Sequence, residues 1–291
     1  MTDLPATGGR GPHAGSESHV FFQGDDRLEG MLGWPAVSHD EPDPGSDRPA
    51  AWNVAGPDGS VPRTMVGGVV IAHPYPPHGA TMAVPVVYRI ARACRERGFA
   101  TLRFNFRSVE GSLGTFSGTE EYRDVEAAVG FLVDQLAGVS GERRPGSATP
   151  PSGSAAPLSG PAPAAAVSPL PLGLAGYSFG SIQAARAAAA LPTVRALALV
   201  GFVVEWEHLP TDTLGRLAGF HGPVLAVCAE NDDVGPPGAV ERALTGLGLD
   251  FTLDVVKDAG HFLEGRHSEV GERVAAFFGE VLGPKSGAGQ D

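Results

Sequence analysis

The chain has 291 residues and a formal net charge of −12 at pH 7, which is enough length for one α/β domain with a sizeable core. The acidic excess argues against nucleic acid or an anionic membrane as a partner, because their phosphate groups would repel it. The first 18 residues are polar, without the apolar run of a signal sequence, and no apolar stretch is long enough to span a membrane. A cytoplasmic location is therefore expected.

Three segments are predicted to be unstructured. Residues 1–18 form a polar tail, residues 39–62 an irregular surface excursion, and residues 138–169 a tract of Pro, Ala, Ser and Gly. The tract cannot offset its own ordering entropy, so we predict a disordered insertion within one domain over residues 19–284, followed by a tail over 285–291. A linker between two domains is the alternative. It is disfavoured because the elements on either side complete one pattern.

Strand and helix patterns alternate along the rest of the chain. Strands are predicted over residues 19–23, 30–34, 68–72, 100–106, 170–175, 194–204, 224–228 and 249–256, the first two as an antiparallel pair. Helices are predicted over residues 84–97, 119–136, 181–190, 237–247 and 269–282. This alternation is typical of the α/β class, with a doubly wound, mostly parallel sheet. Functional residues are then expected at the carboxyl ends of the strands.

The two cysteines, Cys94 and Cys228, both lie in apolar patterns, one predicted helical and one predicted as a strand. Buried free thiols are expected, with neither a disulfide framework nor a metal-binding pair.

A G-x-S-x-G pentapeptide, residues 176–180, lies between a predicted strand and an alanine-rich predicted helix. A serine in a sharp strand-to-helix turn presents its hydroxyl outward, and the two glycines are needed because side chains there would collide. An ordinary Gly-Ser turn is the alternative, and the flanking strand and helix disfavour it. Ser178 is therefore the predicted nucleophile.

A nucleophilic serine needs a base, and the base needs an orienting acid, in the chain order Ser, acid, His for this architecture. Asp232 lies in the loop after a buried strand, and His261 follows the last strand on a loop that could reach back to Ser178. Asp232 is preferred to Asp233 because it comes first on the turn that leaves the strand. Glu205, after an earlier strand, is the remaining candidate for the acid.

Two backbone N–H groups are expected to form an oxyanion hole. One belongs to Phe179, directly after the predicted nucleophile, and the other to the loop over residues 73–79. Proline has no N–H, so Tyr75 is the best-placed donor of that loop. Metal ligation by His73 and His78 is the other interpretation, but no carboxylate or cysteine lies nearby at ligand spacing. We expect neither a metal nor an organic cofactor.

Four further residues are candidates for substrate binding. Arg107 ends a predicted strand near the same site, where it could bind a substrate carboxylate or pair with an acid such as Asp124, and the pairing is favoured. Phe116, Trp206 and Phe262 could line an apolar acyl or alcohol pocket. Packing in the core is the alternative for these three aromatic residues.

Taken together, these motifs resemble the α/β-hydrolase superfamily, and more narrowly the small bacterial hydrolases with an HPHP-type oxyanion loop, often described as dienelactone-hydrolase-like. The matching pieces are residues 73–76, 81–82, 99–107, 176–181, 232 and 260–262. The resemblance implies an α/β-hydrolase fold, with Ser178, Asp232 and His261 as nucleophile, acid and base. It places the oxyanion donors on Tyr75 and Phe179.

The chain departs from that family at Ser108 and Glu110, where glycines are usual, and an altered loop beside the site is expected there. Little sequence lies between Glu205 and Pro223, so no large lid domain is expected.

The function predicted from the sequence is a serine hydrolase that cleaves small or medium carboxylic esters through an acyl-serine. Its partner is then a small-molecule substrate. A peptidase, thioesterase or dienelactone-type hydrolase would use the same residues with a different pocket. A catalytically idle binding or scaffold protein, with residues 138–169 as its interaction segment, is the non-enzymatic alternative. An idle scaffold has no physical need of all three triad residue types in these loops.

Overall fold

The computed structural model describes residues 17–35, 65–139, 170–206 and 209–284. The predictions for the tail over residues 1–16, the excursion over 39–62, the insertion over 140–169 and the tail over 285–291 lie outside the described residues. Residues 17 and 18 belong to the first strand, and residues 138 and 139 to a helix, so both predicted boundaries are wrong by two residues.

A single eight-stranded sheet runs through the described residues, in the order β1-β2-β4-β3-β5-β6-β7-β8. The strand β2 pairs antiparallel with β1 and with β4, and every other pair is parallel. The strands are β1 Glu17–Gln23, β2 Arg27–Gly33, β3 Gly67–Ala72, β4 Phe99–Phe104, β5 Leu172–Tyr177, β6 Val194–Val200, β7 Val224–Ala229 and β8 Phe251–Val256. The predicted doubly wound, mostly parallel sheet is confirmed.

Helices cover both faces of the sheet. They are α1 Pro85–Glu96, α2 Tyr122–Val139, α3 Phe179–Ala188, α4 Thr213–Leu217, α5 Pro237–Gly246 and α6 His267–Leu282. The apolar sides of α1 and α6 pack in one core cluster, and those of α2, α3, α4 and α5 pack in a second cluster on the opposite face.

The strand β3 shows why the central strands are apolar throughout. Val69 and Ile71 point into the cluster of α1 and α6, whereas Val70 and Ala72 point into the cluster of α2 and α3. A strand covered on both faces has no solvent side and so carries a continuous apolar run. Complete burial of each Val or Ile side chain contributes about 1.5–3 kcal/mol to folding.

Several boundaries differ from the sequence prediction. The strand β6 ends at Val200, not at residue 204, because Gly201 adopts a φ of 54° in the left-handed region, where a strand cannot continue. The strand β4 ends at Phe104, two residues before the predicted end. The helix α3 begins at Phe179, two residues earlier than predicted. The short helix α4 was not predicted.

The connection between β6 and β7 contains the five-residue helix α4, and its described residues hold no lid domain. Within the described residues, no helix has both the length and the apolar character to cross a membrane. Cys94 and Cys228 are buried free thiols, as predicted, and burial raises the pKa of each to about 12.

Candidate active site

Ser178 occupies a strained turn between β5 and α3. Its φ of 53° and ψ of −117° lie in a region that residues with a side chain rarely adopt. Its N–H donates to the carbonyl of Val200 at 2.8 Å, and its own carbonyl accepts from the N–H of Ser181 at 2.9 Å. The neighbouring strand and the first turn of α3 thus hold Ser178 at the carboxyl edge of the sheet.

The two glycines of the pentapeptide are required by close backbone contacts. A Cβ atom on Gly176 would lie 2.2 Å from the carbonyl oxygen of Gly180. A Cβ atom on Gly180 would lie 2.4 Å from the carbonyl oxygen of Ala72, at the end of β3. Because both obstacles are backbone atoms, no rotation of a side chain can relieve either contact.

We expect Gly180→Ala to lower the free energy of unfolding by about 1–3 kcal/mol, because α3 must move away from β3 to admit the methyl group. Urea denaturation of the purified proteins measures the change. Gly130→Ala is the matched control, since a Cβ atom there meets nothing within 4 Å on the exposed side of α2. The control should be more stable than the wild type by up to about 1 kcal/mol. Equal stability of Gly180→Ala and the wild type would contradict the steric account.

Three side chains from three loops form a hydrogen-bonded chain at this edge. Ser178 Oγ lies 2.9 Å from His261 Nε2, and His261 Nδ1 lies 2.9 Å from Asp232 Oδ2 and 3.0 Å from Oδ1. A carboxylate can only accept, so His261 carries its proton on Nδ1. The unprotonated Nε2 is then free to accept the hydroxyl proton of Ser178.

Asp232 is held as a carboxylate by the backbone around it. Its side chain is fully buried, and Oδ1 accepts from the N–H groups of Val234 at 2.9 Å and Gly235 at 2.8 Å. Burial raises the pKa of this carboxyl, but the hydrogen bonds from His261, Gly235 and Val234 outweigh it and leave the pKa below its usual value. The acid therefore stays ionised near neutral pH.

The other acid candidates lie elsewhere. Asp233 is exposed, and the side chain of Glu205 is 63% exposed with an oxygen 3.6 Å from Arg242. Neither is hydrogen-bonded to His261 in the part of the chain that the structure describes.

Two residues that the sequence did not single out position His261. The hydroxyl of Tyr177 donates to the carbonyl oxygen of His261 at 3.0 Å, which ties the histidine loop to β5. A Cβ atom on Gly201 would lie 3.3 Å from the imidazole, so glycine leaves space for the ring. The only sequence signals were the position of Tyr177 within the pentapeptide and a glycine at the end of a strand.

The two expected oxyanion donors lie beside Ser178. Tyr75 precedes a single 3-10 turn, Pro76–His78, which Gly79 closes with a φ of 76°. Within the described ranges, neither the N–H of Tyr75 nor that of Phe179 donates to a protein acceptor. The ring of Tyr75 packs edge to face against Phe179, at 5.5 Å between centroids. Tyr75, Ser178 and Phe179 line one cavity.

That cavity has a volume of about 560 Å³ and a mainly apolar wall. Of the predicted pocket residues, Trp206 and Phe262 line it, together with Ile182 and Val203, which the sequence did not single out. His267, which the sequence did not connect with the site, also lines it. Among the described residues of the wall there is no lysine or arginine.

The remaining two predicted pocket residues lie outside this cavity. Arg107 forms the predicted ion pair, with Nη2 2.6 Å and Nε 3.0 Å from Oδ1 of the buried Asp124. Phe116 packs against Tyr75 and Phe179, at centroid distances of 5.6 Å each, and lines an adjoining cleft that shares Gly79 and Ala80 with the cavity.

The same cleft is bordered by Ser108 and Glu110, which have positive φ angles of 69° and 45°. Both residues thus adopt the left-handed conformation that glycine favours. The carboxylate of Glu110 accepts from the side-chain amide of Asn105 at 2.7 Å.

The structure gives no support to metal ligation by His73 and His78. His73 is completely buried, and both of its ring nitrogens are engaged with the backbone. Across residues 17–35, 65–139, 170–206 and 209–284, no three side chains form a group suited to a metal ion.

No protein-family model matches the chain, and no curated protein sequence matches it. Solved structures do. An α/β serine hydrolase homologue from Coxiella burnetii is 24% identical, with a TM-score of 0.61 over 89% of this chain and 96% of the other. A serine hydrolase without lid from Xanthomonas campestris is 21% identical, with a TM-score of 0.63 over 95% of this chain and 100% of the other. A Pyrococcus furiosus esterase is 15% identical, with a TM-score of 0.62 over 92% of this chain and 93% of the other. These matches establish an α/β-hydrolase fold. The residues that the structure describes hold no large lid domain.

Proposed function

We propose that this protein is a serine hydrolase that cleaves carboxylic esters through an acyl-serine intermediate. The observation that carries the proposal is the unbroken chain of hydrogen bonds from Ser178 through His261 to Asp232. A serine hydroxyl is a weak nucleophile by itself, and a base at 2.9 Å with a fixed tautomer is what activates it. The position of these residues supports the proposal. Ser178, Asp232 and His261 follow the carboxyl ends of β5, β7 and β8, the edge of the sheet at which α/β folds bind their ligands.

The residues then act in the following order. His261 Nε2 removes the proton from Ser178 as Oγ attacks the ester carbonyl, and Asp232 stabilises the imidazolium that forms. The N–H groups of Tyr75 and Phe179 donate to the negative oxygen of the tetrahedral intermediate. His261 returns the proton to the leaving alcohol and leaves an acyl-serine. It next activates a water molecule, which releases the acid.

The apolar cavity favours an ester over a peptide as the substrate. A peptide brings N–H groups that cost about 1–3 kcal/mol each when they are buried without an acceptor. An ester has no such donor. A substrate with a carboxylate, such as a carboxylated lactone, would need a cation, and Arg107 is already paired with Asp124 outside the cavity. We therefore favour an uncharged ester with an apolar acyl group.

The first test is covalent labelling of the wild-type protein. A fluorophosphonate probe should add one equivalent to the intact mass, and peptide mapping should locate it on Ser178. A series of p-nitrophenyl esters from acetate to decanoate then measures hydrolysis and the preferred chain length. Absence of both labelling and hydrolysis would favour the idle binding or scaffold protein.

Phe262 provides a test of the cavity itself. Its side chain lies in the cavity wall and is 68% exposed, so a long acyl chain can pack against it. Because the ring is mostly exposed, truncating it should cost the fold little stability. Phe262→Ala should raise KM for p-nitrophenyl octanoate about three- to tenfold and leave the acetate nearly unchanged, because only the longer chain loses apolar contact. Leu113→Ala, at a 53% exposed leucine that does not line the cavity, is the control and should change neither. An equal change for both esters would contradict a role in acyl binding.

A further inference from the structure

His73 lies directly after β3 and is buried beneath the loop that carries Tyr75. Its Nδ1 lies 2.7 Å from the carbonyl oxygen of Pro74, and its Nε2 lies 3.1 Å from the backbone N–H of Phe106. A carbonyl only accepts and a backbone N–H only donates, so these partners fix one tautomer, with the proton on Nδ1. The ring therefore bridges the loop after β3 and the loop after β4.

The bond to Pro74 has a direct consequence for Tyr75. The carbonyl of Pro74 and the N–H of Tyr75 belong to the same peptide group, which is planar and trans. In a trans peptide the two groups point in opposite directions. Because the carbonyl of Pro74 is directed toward the His73 ring, the N–H of Tyr75 is directed away from that ring. Both Pro74 and Tyr75 line the cavity.

We propose that His73 is a positioning residue that orients the oxyanion donor, by holding the Pro74–Tyr75 peptide plane through its Nδ1–H. This inference rests on the proposed function, since it assigns His73 a role in the same reaction. His73 does not line the substrate cavity, and among the described residues it forms no hydrogen bond with Ser178. Its effect passes through a single backbone peptide group.

Two features of the surroundings support a fixed orientation. Burial lowers the pKa of His73 to about 4, so the imidazole stays neutral and Nε2 keeps its acceptor role near neutral pH. On the other side of the peptide, the ring of Tyr75 is packed against Phe116, Phe179 and Trp206, which limits rotation of the loop. A preorganised donor does not have to reorient as charge develops on the carbonyl oxygen.

A matched pair of variants separates the two hydrogen bonds. In His73→Asn, the side-chain amide nitrogen can replace Nδ1 and still donate to Pro74. In His73→Gln, the side-chain oxygen can replace Nε2 and accept from Phe106, while the donor to Pro74 is lost. Complete loss of an oxyanion donor lowers kcat about 10²–10³-fold, so a misdirected one in His73→Gln should lower kcat about 10–100-fold, with KM within about twofold of the wild type. His73→Asn should recover most of that loss.

The measurements are kcat and KM per active site, with active sites counted by fluorophosphonate labelling, and inhibition by a trifluoromethyl ketone that forms a tetrahedral adduct. Affinity for the ketone should fall in parallel with kcat in His73→Gln and recover in His73→Asn. A role in stability alone would leave these values per active site unchanged, or would lower them equally in both variants, and either result overturns the inference. An inactive, unlabelled wild type would instead overturn the proposed function, and this inference with it.

A measurement on the wild type keeps the inference testable if the variants do not fold. Two-bond ¹H–¹⁵N spectra of histidine-labelled protein report which ring nitrogen carries the proton. The signals of His73 are identified by contacts to the ring of Phe106, at 4.8 Å between centroids. We expect the Nδ1–H tautomer at neutral pH. The Nε2–H tautomer would leave the Pro74 carbonyl without its donor and would refute the proposal.

Discussion

Ser178→Ala should abolish ester hydrolysis, with kcat about 10⁵–10⁶-fold lower than in the wild type. Ser178 Oγ lies 2.9 Å from the Nε2 of His261, and alanine leaves no atom there that can attack a carbonyl carbon. Labelling by a fluorophosphonate should disappear at the same time, because the probe reacts with the same oxygen. Hydrolysis of p-nitrophenyl acetate and the intact mass after labelling measure the two effects.

Ser268→Ala is the matched control for that experiment. Ser268 is exposed on α6, and its removal should alter neither hydrolysis nor labelling. Circular dichroism should show that Ser178→Ala is folded, since the backbone turn depends on Gly176 and Gly180 and not on the hydroxyl group. Persistent labelling of folded Ser178→Ala would remove Ser178 from the proposed mechanism.

The sheet was predictable because most of its strands are long, continuous and apolar. The strand β3 was predicted to within one residue, since burial on both faces leaves a run that no exposed segment would carry. The helix α4 was not predictable, because five residues are too few to show a helical period. The end of β6 was missed because it depends on the backbone angle of Gly201, which the surrounding valines do not reveal.

The candidate site was also predictable only in part. Ser178, Asp232 and His261 each follow a strand in the chain order that is typical of this architecture, so local sequence suffices to suggest them. The contacts made by His73 and Tyr177 join residues that are far apart in the sequence, so local sequence does not reveal them. The Tyr177 hydroxyl bonds to a residue 84 positions away, and His73 Nε2 bonds to one 33 positions away. Ile182 and Val203 were missed for a different reason, because an apolar residue that lines a cavity has the same sequence pattern as one that fills the core.

Asp232→Asn should lower kcat about 10³–10⁴-fold while the protein stays folded. Asp232 Oδ1 accepts from the N–H groups of Val234 and Gly235, so the amide oxygen of asparagine should take that position. The amide nitrogen then replaces Oδ2, which lies 2.9 Å from Nδ1 of His261. It can only donate to that nitrogen, and the imidazole proton is forced onto Nε2.

An imidazole with its proton on Nε2 cannot accept the hydroxyl proton of Ser178. The substitution therefore switches the tautomer of His261 and removes its function as a base, with almost no change in the shape of the site. Glu205→Gln makes the same chemical change at an acid that is 63% exposed, and it should leave kcat within about twofold of the wild type because it does not touch His261. Stopped or continuous assays with p-nitrophenyl acetate compare the two variants directly. A large loss of kcat in Glu205→Gln, together with an active Asp232→Asn, would instead identify Glu205, in the loop after β6, as the acid. The geometry opposes that outcome. The buried carboxylate of Asp232 already accepts from the imidazole of His261 and from the N–H groups of Val234 and Gly235.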